Sequence, residues 1–524
     1  MLSRRTSLRR RPRSAELTPL TRCARAAVVI AGGAVCAARG AVATTSPFSV
    51  RSDLLGAINA CIINDATGAT CVDGNSVAIS AWDVRSVPSF ESLFIGRAAF
   101  NADISAWNTH SVTSMKNMFY QAEAFNQDIS GWNTGNVVTM EGMFNGAKAF
   151  NQNIKDWDTS KVTVMSTMFL GAAAFNAPIG IWDTSEVTKM NQMFNSADVF
   201  NADISGWNVG KVTDTSLMFS YAKAFNQDVG GWDMSRVTTL NNMFDGAEVF
   251  DQDLSLWDVS AATTLSSVFA NAPVFNGDVS TWNTQSVTSM YQTFYRALAF
   301  NQDISSWNTQ IVTTMEAMFQ QAEDFNQDIT SWNLGAVTTM RFMFYGAEDF
   351  AQAIGTWDVS SIQDFAYMFG GSEFNQDISA WNVASATDMR NMFEGANEFT
   401  QDITGWDTSA MEASNPSNFA DMFLRANAWL RMCTSSDTAN PNNGPPKLFT
   451  CSAPSPPTYG PGPGSSPGSG SSDDLSDAEK AGIAVGCVAF AAGLIIIFVV
   501  KRRNDKNAAS REPQQPQIIV IQQQ

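Results

Sequence analysis

Apolar residues recur at eight fixed places in each 25-residue segment across most of the chain, and polar residues fill the places between them. In one segment they are Phe300, Ile304, Trp307, Val312, Met315, Met318, Phe319 and Ala322. The β-branched DIS and VTT stretches predict short strands, and the spacing from Met315 to Ala322 predicts a short helical stretch. Eight apolar side chains suffice for a core that is shared with the neighbouring segments.

Tryptophan sets the period of this pattern. From Trp82 to Trp406, successive tryptophans are 25 residues apart, except that Trp381 follows Trp357 after 24. We expect those in register to form a column in the core: Trp82, Trp107, Trp132, Trp157, Trp182, Trp207, Trp232, Trp257, Trp282, Trp307, Trp332, Trp357, Trp381 and Trp406. A fixed period of this length is typical of a solenoid, and we predict one of about 14 coils over residues 79–430. Helix pairs are not expected, because 25 residues leave too little chain for two helices and their turns.

Two irregularities follow from comparing the copies. The one-residue deletion falls between Phe369 and Phe374, which predicts a loop that tolerates a change of length. Trp429 lies six residues after Phe423, as Phe100 lies six after Phe94. We therefore expect Trp429 to replace the second phenylalanine of a degenerate last repeat.

The repeated motif W-[DN]-[TV]-x-x-V-T-x-M-x-x-M-F-x-x-A-x-x-F-N-Q-D-I-S resembles the 25-residue repeat of the BspA-like leucine-rich-repeat surface protein family. The resemblance implies a leucine-rich-repeat-like solenoid, mainly β with one short helical turn per coil, displayed at a cell surface for adhesion or recognition. It does not imply an enzyme. Trp, Phe and Met stand where leucine is usual, so the ligands of ordinary leucine-rich repeats do not carry over.

The N-terminal segment has the features of a secretory signal. Six arginines between Arg4 and Arg13 precede the apolar run AAVVIAGGAVCAA, and Ala41-Val42-Ala43 matches a cleavage site. We predict a signal peptide over 1–43, followed by an N-terminal cap over 44–78. An organellar transit peptide is the alternative, because the segment is rich in Arg and poor in acidic residues.

A second apolar segment predicts a membrane anchor. Residues 481–500 are uncharged and long enough to cross a bilayer as a helix; the alternative is a buried core helix. Lys501, Arg502 and Arg503 follow, so the tail over 501–524 is expected in the cytoplasm, with the repeats outside or in a lumen of the secretory pathway. Residues 452–480 are rich in Pro, Gly and Ser, which predicts a stalk between the repeats and the membrane.

Four cysteines flank the repeats in two pairs, while the regular repeats have none. In an oxidising compartment we expect disulfides Cys61–Cys71 and Cys433–Cys451, the second in a C-terminal cap over 431–451. Four cysteines allow three connectivities, and only proximity along the chain favours this one. Free thiols are the alternative.

The charge of the repeats limits the partners that they can bind. The chain carries −18 overall, and the arginine-rich N-terminus and basic tail leave −29 on residues 44–500. Such a surface repels nucleic acid and anionic lipid, whereas a cationic partner or a purely solubilising role fits it.

Acidic residues also form a column, one per coil, in which Asn153, Pro178 and Ala353 are exceptions: Asp103, Asp128, Asp203, Asp228, Asp253, Asp278, Asp303, Asp328, Asp377 and Asp402. Metal binding or acid-base catalysis needs carboxylates that converge, and a column spreads them along a line. We expect these aspartates to cap turns or face solvent, and Asn126, Asn301 and their equivalents to satisfy backbone groups. Calcium between coils is the alternative, which the absence of the Gly-rich nonapeptide motif disfavours.

No catalytic, cofactor-binding or metal site is predicted, and the chain is not expected to be an enzyme. The single histidine, His110, occupies a turn position, and neither a phosphate-binding loop nor a nucleophile elbow occurs. Recognition is predicted at positions that differ between copies: the triplets that start two residues after each tryptophan, and pairs such as Lys116-Asn117, Glu141-Gly142, Tyr291-Gln292 and Arg341-Phe342. We therefore expect a single-pass surface protein that binds an extracellular macromolecule, with a structural spacer as the alternative.

Overall fold

The computed structural model describes residues 48–436 and 444–451. The predicted signal peptide (1–43), stalk (452–480), transmembrane helix (481–500) and tail (501–524) lie outside these ranges. Within the described ranges, no helix combines the length and apolar character that crossing a bilayer requires.

Regular secondary structure lies mainly at the two ends of the repeat array. Helix α1 spans Arg51–Ile62 and buries Leu54, Ile58 and Ile62, which recur every fourth residue on its inner face. The other elements are α2 (Ser409–Ser414), α3 (Asn427–Met432), β1 (Cys433–Ser435), β2 (Phe449–Cys451) and 3₁₀ helices at Ile79–Ala81, Ile354–Thr356, Pro416–Phe419 and Pro446–Leu448. Strands β1 and β2 pair antiparallel with Cys433 opposite Cys451.

The segment from each methionine to the following alanine is a chain of tight turns, so the predicted helical stretch is wrong. Alternate N–H groups stay within the coil: those of Met118 and Tyr120 donate to carbonyls three residues back, at 3.2 Å. The N–H groups between them, on Asn117, Phe119 and Gln121, donate to the next coil at 2.6–2.9 Å. Hydrogen bonding that alternates in this way joins the coils as a sheet would, and it excludes the i to i−4 bonds of an α-helix.

Two positions in every such segment have a left-handed backbone, which produces the alternation. In one coil they are Asn117 (φ 52°) and Gln121 (φ 56°), and in a later one Thr167 (φ 56°) and Gly171 (φ 64°). The same conformation occurs at Phe342 (φ 57°), where a bulky side chain adopts it. A residue that has a Cβ is strained in this region, so every coil except the one with Gly142 and Gly146 contains local strain that packing between coils must offset.

Strands are also shorter than predicted. The coils of the array are joined by isolated parallel bridges of one residue pair, such as Ser114 with Thr139 and Thr139 with Val164. The DIS stretches contain no strand, because the aspartate side chain binds the backbone there. The array is therefore a solenoid in which turns and single bridges replace continuous strands.

Stacked aromatic columns form the core. Within a coil the two phenylalanines stack closely, as Phe119 does on Phe125 with ring centroids 3.8 Å apart. Between coils Phe119 stacks on Phe144 at 5.6 Å. The prediction for the degenerate last repeat is confirmed, because Trp429 stacks on Phe423 at 3.7 Å. Large aromatic side chains supply most of the apolar area that such small units can bury.

The tryptophan column is buried and fully hydrogen-bonded. The indole N–H of Trp307 donates to the carbonyl of Val279 in the preceding coil at 3.1 Å, and that of Trp132 donates to Ile104 at 3.3 Å. The fourteen tryptophans in register are at most 5% exposed. From Trp107 onward, each indole therefore contributes both apolar area and a bond to an earlier segment of the stack, without leaving a buried donor unpaired.

The single deletion removes one turn and leaves the core intact. Phe369 and Phe374 still stack, with ring centroids 4.2 Å apart, although five residues instead of six separate them. Gly371 has a φ of 65° at the point where the chain shortens. The loop thus absorbs the change of length, as predicted for this stretch.

Candidate functional site

The aspartate column caps turns. The carboxylate of Asp128 accepts the N–H of Ser130 at 2.9 Å, and Asp303 accepts that of Ser305 at the same distance. The hydroxyl and N–H of Ser130 lower the pKa of Asp128, since both stabilise the charged form. These contacts confirm the interpretation that the column shapes the turns.

A second column, directly after the tryptophans, works in the same way. Asn133 accepts the N–H of Gly135 at 3.1 Å, and Asp158 accepts that of Ser160 at 3.0 Å. The exposed His110 belongs to this turn, where its N–H donates to Asn108 at 3.1 Å. Its ring is 3.4 Å from the amide of Asn133. No acidic partner contacts the imidazole within the described ranges.

An asparagine ladder connects the coils on the same side of the array. The side-chain oxygen of Asn126 accepts the N–H of Asn151 at 3.0 Å, and Asn151 in turn accepts that of Asn176 at 2.9 Å. Gln152 donates its amide to the carbonyl of Asn126 at 2.9 Å. These bonds satisfy backbone groups where the coil turns, as predicted for the asparagines.

The carboxylates of the column remain one to a coil. Asp128 raises the pKa of Asp103 only as the smallest influence, after the bonds from Ser105 and burial. In the part of the chain that the structure describes, no group of three or more His, Cys, Asp or Glu side chains is placed to hold a metal ion. The arrangement therefore provides turn caps and does not bring an acid and a base to one point.

Two of the three interruptions of the aspartate column, at Pro178 and Ala353, open shallow grooves. One has a volume of about 520 Å³ and is lined by Pro178, Gly180, Ile181 and the next coil. The other lies beside Ala353 and Gly355. In both, a glycine lets a carbonyl of the following coil approach closely, since a Cβ on Gly180 would clash with Asp203. Their linings contain one aspartate each, so they offer no set of converging groups.

The triplets after the tryptophans are only partly available for binding. Their first residues belong to the core, where Thr109, Thr134 and Val209 are at most 2% exposed. The hydroxyl of Thr109 donates to the carbonyl of Asn133 at 2.9 Å. The prediction that whole triplets form a recognition surface is therefore wrong for these first positions, because they join coils to each other.

The turn segments form the other variable surface, which we call the turn face: residues 116–121 and the equivalent residues of every coil. All tyrosines of the described residues lie on it, at positions 120, 221, 291, 295, 345 and 367. Tyr221 is 46% exposed and Tyr291 37%. Tyrosine is enriched among the residues that contribute most to binding at protein interfaces, so its concentration on one face indicates where a partner would bind. This concentration could have been found from the sequence, because all of these tyrosines occupy the same six-residue part of the 25-residue repeat.

One stretch of the turn face combines aromatic rings in contact with each other. Phe342 stacks on Tyr367 with centroids 4.6 Å apart, and Tyr345 meets both rings edge-on at 5.8 and 6.3 Å. The guanidinium of Arg341 lies 5.0 Å from the centre of the Phe342 ring. Phe342, Tyr345 and Tyr367 are all half-buried. We call these three residues the aromatic cluster.

Charged groups surround the aromatic cluster. Burial raises the pKa of Glu316, while the charge of Arg341 lowers this pKa and that of Asp364 raises it. Burial likewise raises the pKa of Asp364. Arg390 is engaged by Asp388, whose carboxylate it meets at 2.6 Å. Because Glu316 and Asp364 lose hydration without a full compensating partner, their ionised forms would gain from an added cation.

A different polar group is buried near the middle of the turn face. Asp245 is 9% exposed and accepts amide hydrogens from Asn271 at 2.9 Å and Asn242 at 3.3 Å. Burial raises its pKa, and its charge raises the pKa of Tyr221. The hydroxyl of Ser220 is buried without a hydrogen-bond partner. Asn145 and Asn195 occupy the equivalent position in other coils, which indicates that a carboxylate is not required there.

Disulfides close the array at both ends. The structure contains Cys61–Cys71 beside α1 and Cys433–Cys451 between β1 and β2. Cys71 and Cys433 are 1% exposed and belong to the core. The bridges therefore lie where the stacked core would otherwise end in water.

Comparison with known proteins gives a family match and two solved structures that align with part of the chain. No curated protein matches the chain. A leucine-rich-repeat protein of Leptospira interrogans is similar over 63% of this chain and 74% of its own, at 7% identity and a TM-score of 0.22. A TLR13–ssRNA13 complex is similar over 65% of this chain and 46% of its own, at 12% identity and the same TM-score. At these scores neither likeness bears on what this chain binds.

The family match covers the whole repeat array. One model matches four overlapping stretches, 66–163, 150–257, 238–350 and 326–436. The resemblance to the BspA-like family is not confirmed by these comparisons. The four tandem matches agree with the repeat solenoid, and the chain belongs to the family described as "Mycoplasma protein of unknown function, DUF285".

Proposed function

We propose that the chain is a single-pass surface protein whose leucine-rich-repeat-like array binds a protein, glycan or matrix partner through the turn face. The observation that carries this proposal is the placement of the tyrosines, six of which lie on the turn face in the described residues. Other polar positions are committed to structure, because aspartates cap turns and asparagines join coils. The exposed side chains of Tyr221 and Tyr291 on the turn face take no part in these caps or in the asparagine ladder.

The cellular location rests on the sequence. An arginine-rich apolar N-terminus, the uncharged segment 481–500 and the basic residues after it support export with the tail in the cytoplasm. The disulfides Cys61–Cys71 and Cys433–Cys451 suit an oxidising compartment. An impermeant lysine reagent applied to intact cells should label Lys116 and Lys148 of the repeats. Labelling that requires permeabilised cells would overturn the proposed topology.

Binding is tested with the full-length protein in detergent against panels of cell surfaces, matrix proteins and glycans. We expect saturable binding that persists after calcium is removed, because the carboxylates of the aspartate column already accept hydrogen bonds as turn caps. Replacement of Tyr291 and Tyr295 by serine should weaken this binding. Thr293→Ser, at the buried core position between them, serves as a control for folding. Absence of saturable binding to any panel would contradict a recognition role.

A structural spacer is the second candidate. The regularity of the asparagine ladder and turn caps favours it, because bonds such as those from Asn126 and Asp128 stiffen every coil in the same way. A spacer needs length and rigidity without a specific surface. Shortening the array by three whole coils distinguishes the two, since a spacer loses its function in proportion to length, whereas a binding protein loses it only when the contacted coils are removed.

A further inference from the structure

The turn face changes in character along the array. The aromatic cluster of Phe342, Tyr345 and Tyr367 lies within residues 316–398, which contain thirteen Asp and Glu but only two Arg. The stretch of equal length and register at 91–173 contains seven acidic and five basic residues. No lysine occurs between Lys223 and Lys447. The acidic surplus is therefore concentrated around the aromatic cluster and is not spread evenly.

In the N-terminal coils, acidic side chains beside the turn face are paired with lysines. Lys148 meets Glu123 of the preceding coil at 3.0 Å, and Lys223 meets Asp198 at 3.9 Å. The equivalent positions beside the aromatic cluster hold Glu348 and Glu373 in adjacent coils. Both are exposed, and neither forms an ion pair with any residue that the structure describes. Like charges on neighbouring coils repel, so this stretch lacks the compensation by lysine that the earlier coils have.

The two arginines near the aromatic cluster do not neutralise Glu348 and Glu373. Arg390 is bound to Asp388, and the guanidinium of Arg341 lies over the ring of Phe342. The charge of Arg341 stabilises the ionised form of the half-buried Glu316. The outer carboxylates of Glu348 and Glu373 are left without a compensating charge. Cationic groups from outside the chain would therefore be attracted to these carboxylates.

We propose that the aromatic cluster, with Glu348 and Glu373 beside it, is the docking site for a lysine- and arginine-rich segment of a protein partner. The inference rests on the proposed binding role of the turn face and names the place and the chemistry of the partner. Half-exposed rings attract ammonium and guanidinium groups through their faces and pack against the long methylene stems of these side chains. Carboxylates next to the rings attract the same groups and repel nucleic acid and anionic lipid.

Fluorescein-labelled decalysine and decaarginine are suitable probes, with decaglutamate as the negative control. They are titrated into the full-length protein in detergent and followed by fluorescence anisotropy. We expect saturable binding of both cationic peptides that weakens as salt is added. Replacement of Tyr345 and Tyr367 by alanine should weaken binding about tenfold, and Glu348→Gln with Glu373→Gln should weaken it by a similar factor.

Matched variants show whether the site is specific. Tyr120 occupies the position of Tyr345 in a coil next to the Glu123–Lys148 pair, so Tyr120→Ala should change binding less than twofold, as should Tyr345→Phe, which keeps the ring. Equal loss in Tyr120→Ala and Tyr345→Ala, or no loss in either, would overturn the proposal in favour of diffuse attraction to an acidic surface. Unchanged thermal unfolding of each variant confirms that folding is retained. If a partner found on the panels still binds the Tyr345→Ala and Tyr367→Ala variant, this site fails while the binding role of the turn face stands.

Discussion

The left-handed positions of the turn segments give the sharpest test of the fold, and Gly171 is the best place for it. Its φ is 64°, and a Cβ added there would lie 3.8 Å from the Cα of Gly146, an ordinary contact. Gly171→Ala therefore introduces no clash. The whole effect comes from the backbone conformation that the alanine must adopt.

The size of the effect follows from that conformation. A residue with a Cβ costs about 1–2 kcal/mol in the left-handed region. Alanine regains about 0.4–1 kcal/mol by restricting the unfolded chain. The free energy of unfolding of the affected coils should fall by about 1 kcal/mol. In the reverse direction, Thr167→Gly should raise it, because Thr167 has a φ of 56° and already bears the strain.

Hydrogen exchange is the appropriate assay, because a solenoid can open locally and global unfolding need not be two-state. The amides of Ala172 and neighbouring coils should exchange about fivefold faster in Gly171→Ala. Gly131→Ala is the matched control: its backbone is not left-handed and nothing lies within 4 Å of the added Cβ. Equal exchange in the two alanine variants would refute the claim that alternating handedness builds the coil.

Three further predictions concern the polar side chains and one disulfide. Asp128→Ala should destabilise its coil by about 0.5–1.5 kcal/mol in chemical unfolding at pH 7, and Asp128→Asn much less, so equal effects of the two substitutions would contradict capping. Because the pKa of Asp128 is lowered in the folded protein, its contribution to stability is present above the unfolded pKa and is lost as the pH falls. Asp245→Asn should stabilise the protein at pH 7, because the raised pKa of Asp245 means that ionising this carboxyl costs free energy in the folded state. The gain in stability should vanish in acid, where Asp245 is protonated, and a gain that is independent of pH would exclude ionisation as its cause. Replacing Cys61 and Cys71 by serine should cost about 2–3 kcal/mol and speed hydrogen exchange in α1, while exchange near Trp307 stays unchanged; uniform acceleration would argue against a local cap.

The repeat architecture and its core followed from the sequence because apolar side chains mark the core directly. The positions of Phe300, Ile304 and Trp307 identify buried columns, and the spacing of Phe423 and Trp429 identified the last one. Aspartate caps were also predictable, because Asp followed two residues later by Ser is a local arrangement.

The turn segments were not predictable in the same way. Met315, Met318, Phe319 and Ala322 have a helical spacing, but the backbone between them alternates in handedness. Ala317 and Gln321 take the left-handed positions, and neither residue type favours it. Packing against adjacent coils overrides local preference there. The recurrence of glycine at 146, 171, 246 and 346 was the one signal of this conformation.

The most direct test of the central claim, that the turn face recognises and the polar columns support, compares two sets of substitutions in the full-length protein. One set replaces Tyr291, Tyr345 and Tyr367 by serine, and the other replaces Asp303 and Asp328 by asparagine. Binding of each to a partner identified on the panels is measured by surface plasmon resonance, with tryptophan fluorescence to confirm folding. We expect the tyrosine set to lose saturable binding and the asparagine set to retain it. Loss of binding only in the asparagine set, with the tyrosine set unaffected, would contradict the central claim.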